Sequence, residues 1–345
     1  VRWIALFVVG FNATALHADT VRVAFGSCAD ADQPDHPIWN ALYQAQPDAL
    51  LMIGDNVYAD SPEFRSSPSR EGLETEYAKL EATPAFQRLR DVVPIYATWD
   101  DHDYGLNDGG REFTLKDVSQ QVFFDFWRVP SDRPERRTPG IYAERWLSKA
   151  GLRIQVLLLD TRYFRSALTP DPLNGRCPVR NYGINLADEA TILGRAQWQW
   201  LKERLREPAD VRVIASSVQV VSDEHCWERW GVFPKERARL FRMIARSGAR
   251  NVFLVSGDRH LGEISKLPGD GDFGLDYPLY DITSSPLSAR SGFGKGEVNG
   301  YRVGHDNVRV SNFGVIEIDT VKKQAHLSLR DRTGETLVHT SVFLR

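Results

Sequence analysis

Four short segments of the chain place metal-ligand side chains directly after apolar runs. They are Gly26-Ser27-Cys28, Gly54-Asp55-Asn56-Val57-Tyr58, Trp99-Asp100-Asp101-His102-Asp103 and Ser256-Gly257-Asp258-Arg259-His260. Together they supply carboxylates, imidazoles, a thiol and a phenol. If loops brought these groups around one point, only multivalent cations would make such a density of anionic ligands tolerable. The pattern therefore points to a metal-dependent enzyme.

Each residue suits a particular task, and each has a plainer alternative. Asp55 follows Gly54 at the end of an apolar run. A carboxylate there can bridge two ions with one oxygen each, or act as a turn residue satisfying local amides. Tyr58, three residues on, can return its phenol to the same ion on a tight loop. Phenolate ligation calls for a hard, highly charged ion such as Fe(III). A metal would deprotonate Cys28 outright, whereas a buried cysteine without one is inert. Asp100, Asp101 and Asp103 flank His102 and would repel one another unless a cation or several donors compensated. Asp258 and His260 are two residues apart, so an extended loop would put them on the same side. Arg259 would then point away, toward solvent or a substrate anion. Singly these are weak signals; four in series are strong.

Such residues need a scaffold that delivers them to one place. Val21 to Phe25, Ala49 to Ile53, Pro94 to Thr98 and Val252 to Val255 read as strands. In an open α/β sheet, loops at the carboxyl ends of strands gather at one edge. Helical spacing is present over Pro37 to Ala45, Leu73 to Leu80, Lys116 to Phe126, Ala196 to Leu205 and Pro234 to Ala245. Arg153 to Leu159 and Val211 to Ala215 read as further strands. The C-terminal part changes character: Leu279 to Ile282, Val308 to Ser311, Val315 to Asp319, Gln324 to Leu329 and Thr336 to Phe343 read as strands without helices between them. Alternation followed by a meander predicts two sheets with helices on their outer faces. Two long loops, about 166–194 and 286–307, are expected to face a substrate.

Composition narrows the class. A chain of 345 residues, 42% hydrophobic and 26% charged, has room for one large α/β domain or two smaller ones. A net charge of -3, with basic residues spread along the chain apart from Arg133 to Arg137, argues against a nucleic-acid partner. Arg2, the apolar run Trp3 to Gly10 and the small residues around Ala15 and Ala18 resemble a secretory signal peptide over 1–18. That run is too short to span a bilayer, and no later segment is long and apolar enough, so no stable membrane insertion is expected. The mature part, 19–345, is expected to be one domain in a periplasmic or secreted protein. In an oxidising compartment Cys177 and Cys226 could pair and leave Cys28 as a ligand; sequence alone leaves pairing and two free thiols equally open.

The ordered set Gly-Ser-Cys, Gly-Asp-x-x-Tyr-Ala-Asp, Trp-Asp-Asp-His-Asp-Tyr-Gly-x-Asn-Asp and Ser-Gly-Asp-x-His resembles the PhoD-like alkaline phosphatase family of the calcineurin-like metallophosphoesterase superfamily. Leu159-Asp160-Thr161-Arg162, Ser216-Ser217-Val218-Gln219-Val220, Trp230-Gly231-Val232-Phe233-Pro234, Thr283-Ser284-Ser285 and Asn312-Phe313-Gly314 extend the likeness from Val21 to Asp319. The resemblance implies a four-layer αββα sandwich of two mixed sheets and hydrolysis of phosphate mono- or diesters at alkaline pH. It implies Fe(III) and Ca(II), with another divalent pair as an alternative. By position, Cys28, Tyr58 and His260 would hold the iron-type ion, Asp101 and Asp258 the second, and Asp55 would bridge. A hydroxide bridging the metals would attack phosphorus, with His102 beside the leaving oxygen and Arg162 on the equatorial oxygens; the other reading of Arg162 is a salt bridge to Asp160 or another carboxylate. Asn107 and Asp108 match a family segment of less certain role. Only Arg2 precedes the apolar stretch, where relatives often carry a twin-arginine signal. The substrate would be a small-molecule or polymer phosphoester. Two rival readings stand beside this one. One is a diester-preferring enzyme acting on phospholipid or polymer headgroups, with Trp227, Trp230 and Phe233 as one wall. The other is an exported metal- or phosphate-binding protein without turnover.

Overall fold

The structure, a computed structural model, describes residues 19–171, 182–269, 271 and 273–345. The proposed signal segment 1–18 and Cys177 lie outside the described residues. Among the described residues, twelve strands form two six-stranded sheets. The first has the order β12-β11-β10-β1-β2-β3, from β1 (Thr20–Gly26), β2 (Ala49–Ile53), β3 (Ile95–Thr98), β10 (Asn312–Asp319), β11 (Gln324–Asp331) and β12 (Thr336–Phe343). The second has the order β4-β5-β6-β7-β9-β8, from β4 (Ala143–Lys149), β5 (Leu152–Leu158), β6 (Val211–Ala215), β7 (Val252–Ser256), β8 (Glu263–Leu267) and β9 (Leu279–Thr283). Strands β1, β2 and β3 run parallel, as do β5, β6, β7 and β9; β10, β11 and β12 in the first sheet and β4 and β8 in the second pair antiparallel.

Strand periodicity explains the layering. Successive side chains point to opposite faces. Val21, Val23 and Phe25 of β1 and Leu51 and Ile53 of β2 meet Val156, Leu158, Val213 and Val255 of the second sheet in a core between the sheets. The alternate residues Ala24, Leu50 and Met52 face outward against α1 (Ile38–Gln44), α3 (Arg70–Glu81), α4 (Pro84–Val92) and α6 (Lys116–Phe126). The short helices α2 (Pro62–Ser66) and α5 (Asp101–Tyr104) join this side. Leu157, Ile214 and Leu254 face the other way, against Trp198 and Leu201 of α7 (Gly194–Arg204) and Leu240, Phe241 and Ile244 of α8 (Pro234–Ser247). Strands buried on both faces read as unbroken apolar runs, which is why they were legible. The result is the αββα sandwich expected.

The departures have local causes. β4 was not anticipated, because its sequence Ala-Glu-Arg-Trp-Leu-Ser-Lys is half polar and its residues are mostly half-buried. It is an edge strand held by the hairpin to β5. Two consecutive left-handed residues, Ala150 and Gly151, close that turn. β8 was also missed. The segment Val308 to Ser311 forms no strand; Val308 makes an isolated bridge to Gly262, and the strand begins at Asn312. The C-terminal meander extends the first sheet through the antiparallel pairing of β10 with β1. Among the described residues no helix is long and apolar enough to cross a membrane.

Candidate metal centre

The carboxyl ends of β1, β2, β3 and β7 open at the same edge, and the loops after them carry the ligand-type residues. Cys28 lies just beyond β1 and is tied to the loop after β2: its N–H donates to the Gly54 carbonyl at 3.1 Å and Ala29 N–H to the Asp55 carbonyl at 2.8 Å. Four of the six expected ligands have left-handed backbones although none is glycine: Cys28 (φ 59°), Asp55 (48°), Asp258 (66°) and His260 (51°). Such residues cost of order 1–3 kcal/mol each and concentrate where function demands a particular side-chain direction. The loop after β7 is therefore not extended, as the two-residue spacing of Asp258 and His260 suggested. Two left-handed turns bring both side chains to the centre.

The side chains converge. Ligand atoms of Cys28, Asp55 and His260 lie within 4.8 Å of one another, as do those of Asp55, Asp101 and His102, and those of Asp55, Asp100, Asp101 and Asp258. Asp55 belongs to all three groups. Tyr58 joins through His260, its phenol oxygen 3.1 Å from Nε2. The Nδ1 of His260 is 2.6 Å from the Arg290 carbonyl oxygen, which can only accept. Nδ1 therefore carries the proton, and Nε2 presents a lone pair to the centre, as a metal ligand must. Cys28 Sγ is 3.3 Å from Asp55 Oδ2 and accepts from Ser285 Oγ at 3.1 Å. All six residues are thus brought together.

Electrostatics test whether cations fit. Burial pushes the Cys28 thiol up to about 12. Burial, then the charges of neighbouring acids, holds Asp258 well above the usual carboxylate range, and burial with Cys28 does the same to Asp55. Tyr58 is raised by burial and by Cys28 and Asp55. Asp101 is the exception: burial opposes its charge, yet His102 and Arg162 outweigh it and hold the group low. Among the described residues, Asp101 Oδ1 and Asp100 Oδ2 are buried with no hydrogen-bond partner. Acids driven to protonate, together with orphaned carboxylate oxygens, form a donor set suited to cations: the missing positive charge would satisfy both.

Several supporting residues escaped the sequence reading. Asp60 Oδ1 is 2.6 Å from His102 Nδ1. It closes the Gly-Asp-x-x-Tyr-Ala-Asp motif, which was the signal that could have found it. The Asp60 carboxylate fixes the His102 tautomer and leaves Nε2 as the nitrogen that can work. Burial opposes charge on His102, but Asp101, Asp55 and Asp60 raise it well above the ordinary range. Asp103 receives the Asp100 N–H at 2.6 Å and the Asn56 N–H at 3.2 Å, bracing two ligand loops against each other. Asp101 Oδ2 accepts from Asp108 N–H at 2.6 Å, which gives that family segment an orienting role.

Three expectations take a different form. Arg162 is fully buried, with Nε 2.7 Å from Asp100 Oδ1 and Nη1 2.5 Å from Glu228 Oε2. Its guanidinium is occupied by two carboxylates rather than open to a substrate oxygen, and only its backbone N–H meets Asp160. Arg259 does not face solvent; it is buried, ion-paired to Glu297 and seated 5.1 Å from the Trp227 ring centre. Trp230 and Phe233 form no wall, because both are buried in the core beneath α7 and α8. Cys226 is disulfide-bonded.

The profile of the PhoD-like phosphatase family matches residues 23–329. The chain belongs to that family. It is 22% identical over 300 residues to alkaline phosphatase D of Bacillus subtilis (strain 168), covering 76% of this chain and 50% of that protein. The chain thus spans about half the length of this curated relative. A solved structure of PhoD superposes with a TM-score of 0.69 at 16% identity, covering 94% of this chain and 69% of that one. GAP50, the anchor in the inner membrane complex of Plasmodium, superposes with a TM-score of 0.55 at 12% identity, covering 94% of this chain and 89% of that one. At these identities the two structures speak to fold alone.

Proposed function

We propose that the chain is a metal-dependent hydrolase of phosphate esters. The observation that carries this reading is the sharing of Asp55 among all three ligand groups, next to a histidine held by Asp60. Cys28, Tyr58 and His260 would hold one ion, Asp101 and Asp258 the other, and Asp55 both. Thiolate and phenolate beside an imidazole suit Fe(III); a carboxylate-only set suits a hard ion such as Ca(II). A bound cation pair supplies Lewis-acid stabilisation of phosphoryl oxygens and lowers the pKa of a water toward neutrality.

The chain's own residues do the rest. The Arg290 carbonyl and Ser285 hold His260 in place through Nδ1 and the backbone N–H. Asp60 orients His102, whose Nε2 would hydrogen-bond or protonate the leaving oxygen. Arg162 is a positioning residue: it neutralises Asp100, so the carboxylates beside it need less compensation from the ions. We read 19–345 as one domain and 1–18 as an export signal, which places the enzyme in the periplasm or outside the cell. A diester substrate has one observation in its favour. Phe293, 42% exposed, stands with its ring centre 5.6 Å from that of His260 and could receive a second ester group.

The test combines metal analysis with rates on a monoester and a diester. His102→Ala should lower kcat by ~10²–10⁴-fold while the metal content stays unchanged. A metal-loaded protein that cleaves neither ester would leave only the binding-protein reading.

A further inference from the structure

The helices that cover the second sheet run back from the metal edge, so their C-terminal ends lie at the opposite edge, where β6 and β7 begin. There α7 and α8 face each other across a groove of about 390 Å³. Among the described residues its lining includes Lys202, Arg206, Arg239, Arg242 and Arg246, and no carboxylate. The sequence hides this. Arg239, Arg242 and Arg246 are three and four residues apart on α8 and so share one helical face, while Lys202 sits in the last turn of α7 and Arg206 in the turn just beyond it. All five are exposed. Among the described residues, Lys202, Arg206, Arg242 and Arg246 make no ion pair; Arg239 reaches Glu236 at 3.4 Å and stacks on Trp198.

The groove continues, through Arg206 and Ser247, into a cleft of about 630 Å³ at the start of β5, β6 and β7. Among the described residues that cleft adds Arg153, Arg212, Arg250, Lys323 and Arg345 against two acidic side chains, Glu207 and Asp210. A chain whose net charge is -3 thus carries a local excess of positive charge at this edge.

The ordinary explanation is that basic residues complement helix C-termini. Two helix ends offer about half a negative charge each, roughly one in all. Five full charges in the groove exceed that severalfold. A flat membrane surface fits less well, because the site is concave and none of the exposed large apolar residues lies on α7 or α8. Guanidinium forks match phosphate oxygens in pairs, and a groove lined among the described residues by cations without acids matches a ligand with closely spaced charges.

We propose that the α7–α8 groove and its adjoining cleft bind a linear polyanion bearing closely spaced phosphates, away from the metal centre. The test uses the full chain and long-chain inorganic polyphosphate as probe, with binding measured across a salt series. Arg242→Ser with Arg246→Ser should weaken binding by about tenfold or more at low salt. It should also lower the slope of log affinity against log salt by roughly one for each cation removed. Arg133→Ser with Arg137→Ser makes the same charge change elsewhere and should leave binding intact. Thermal melting and hydrolysis of a small ester, unchanged in the α8 variant, would establish that it is folded. Equal losses in the two double variants would overturn the site. So would displacement of the polymer by orthophosphate at the same total phosphate concentration, or tight binding to phosphatidylglycerol vesicles with none to polyphosphate.

Discussion

The two edges of the paired sheets are built on opposite plans. At the carboxyl edge, Asp55, Asp100 and Asp101 are buried with the half-buried Asp258 crowded against them, and their loops are pinned by hydrogen bonds from Ser285, Asn56 and Asp108. At the amino edge, Lys202, Arg206, Arg242 and Arg246 are exposed and unpaired among the described residues. Both edges contain left-handed residues. Ala150, Asn251 and Lys323 lie in the turns of the amino edge, whereas Cys28, Asp55, Asp258 and His260 are themselves the groups that meet at the carboxyl edge. The same backbone device thus reverses the chain at one end and aims side chains at the other. The contrast also separates two uses of charge. Buried charge demands a partner of fixed position, whereas exposed charge can wait for a mobile one.

The strongest attempt to break this contrast is removal of the shared carboxylate. Asp55→Asn should cost several kcal/mol of transition-state stabilisation, lowering kcat/KM by ~10³-fold, with metal lost from both halves of the site. Full retention of either ion would show that Asp55 does not bridge. Next is Arg162→Met, which leaves Asp100 buried without its cation and Glu228 with Arg165 alone. Denaturant unfolding should report a loss of ~3–5 kcal/mol. If the variant instead kept its stability and only KM rose, Arg162 would be a substrate ligand after all. Asp60→Asn should be milder, a ~10–100-fold fall in rate with metal content unchanged. It should also move the alkaline limb of the rate profile to lower pH, because one of the carboxylates that raises His102 is gone.

The smallest effect is on the pH dependence of the metal-free chain. Asp103 is pushed up to about 8, chiefly by burial, and Asp55 and Asp258 are also raised. Groups raised in the folded state stabilise it below their unfolded pKa, and that stability fades as pH climbs through the folded value. The melting temperature of chelator-treated protein should therefore decline between about pH 4 and 8, and the metal-loaded form should resist that decline. Parallel curves for the two forms would detach the carboxylates from any cation.

The sequence made the carboxyl edge legible because its signals are local. A buried strand such as Ala49–Ile53 is an apolar run, and Gly54-Asp55 follows it directly. The layered fold was legible for the same reason. What escaped depends on relations between distant segments. The pairing of Arg162 with Asp100 and Glu228 joins residues 62 and 66 apart. The basic groove needs two helices and their faces, so a linear scan met only scattered arginines. Asp60 lay inside a quoted motif, but its role appears only when α5 brings His102 beside it. The strand β4 was missed because an edge strand carries half the apolar signal of a central one, and Val308–Ser311 was overread because β-branched residues also occur in loops that make a single bridge.

The left-handed residues at the carboxyl edge carry a warning for anyone seeking a hardier protein. Glycine would relax the backbone at position 28, 55, 258 or 260 at little steric cost. Substitutions chosen only to relieve backbone strain would therefore point to those positions, and each would delete a donor group. Improvement of this protein has to begin elsewhere, with those four positions frozen from the first round.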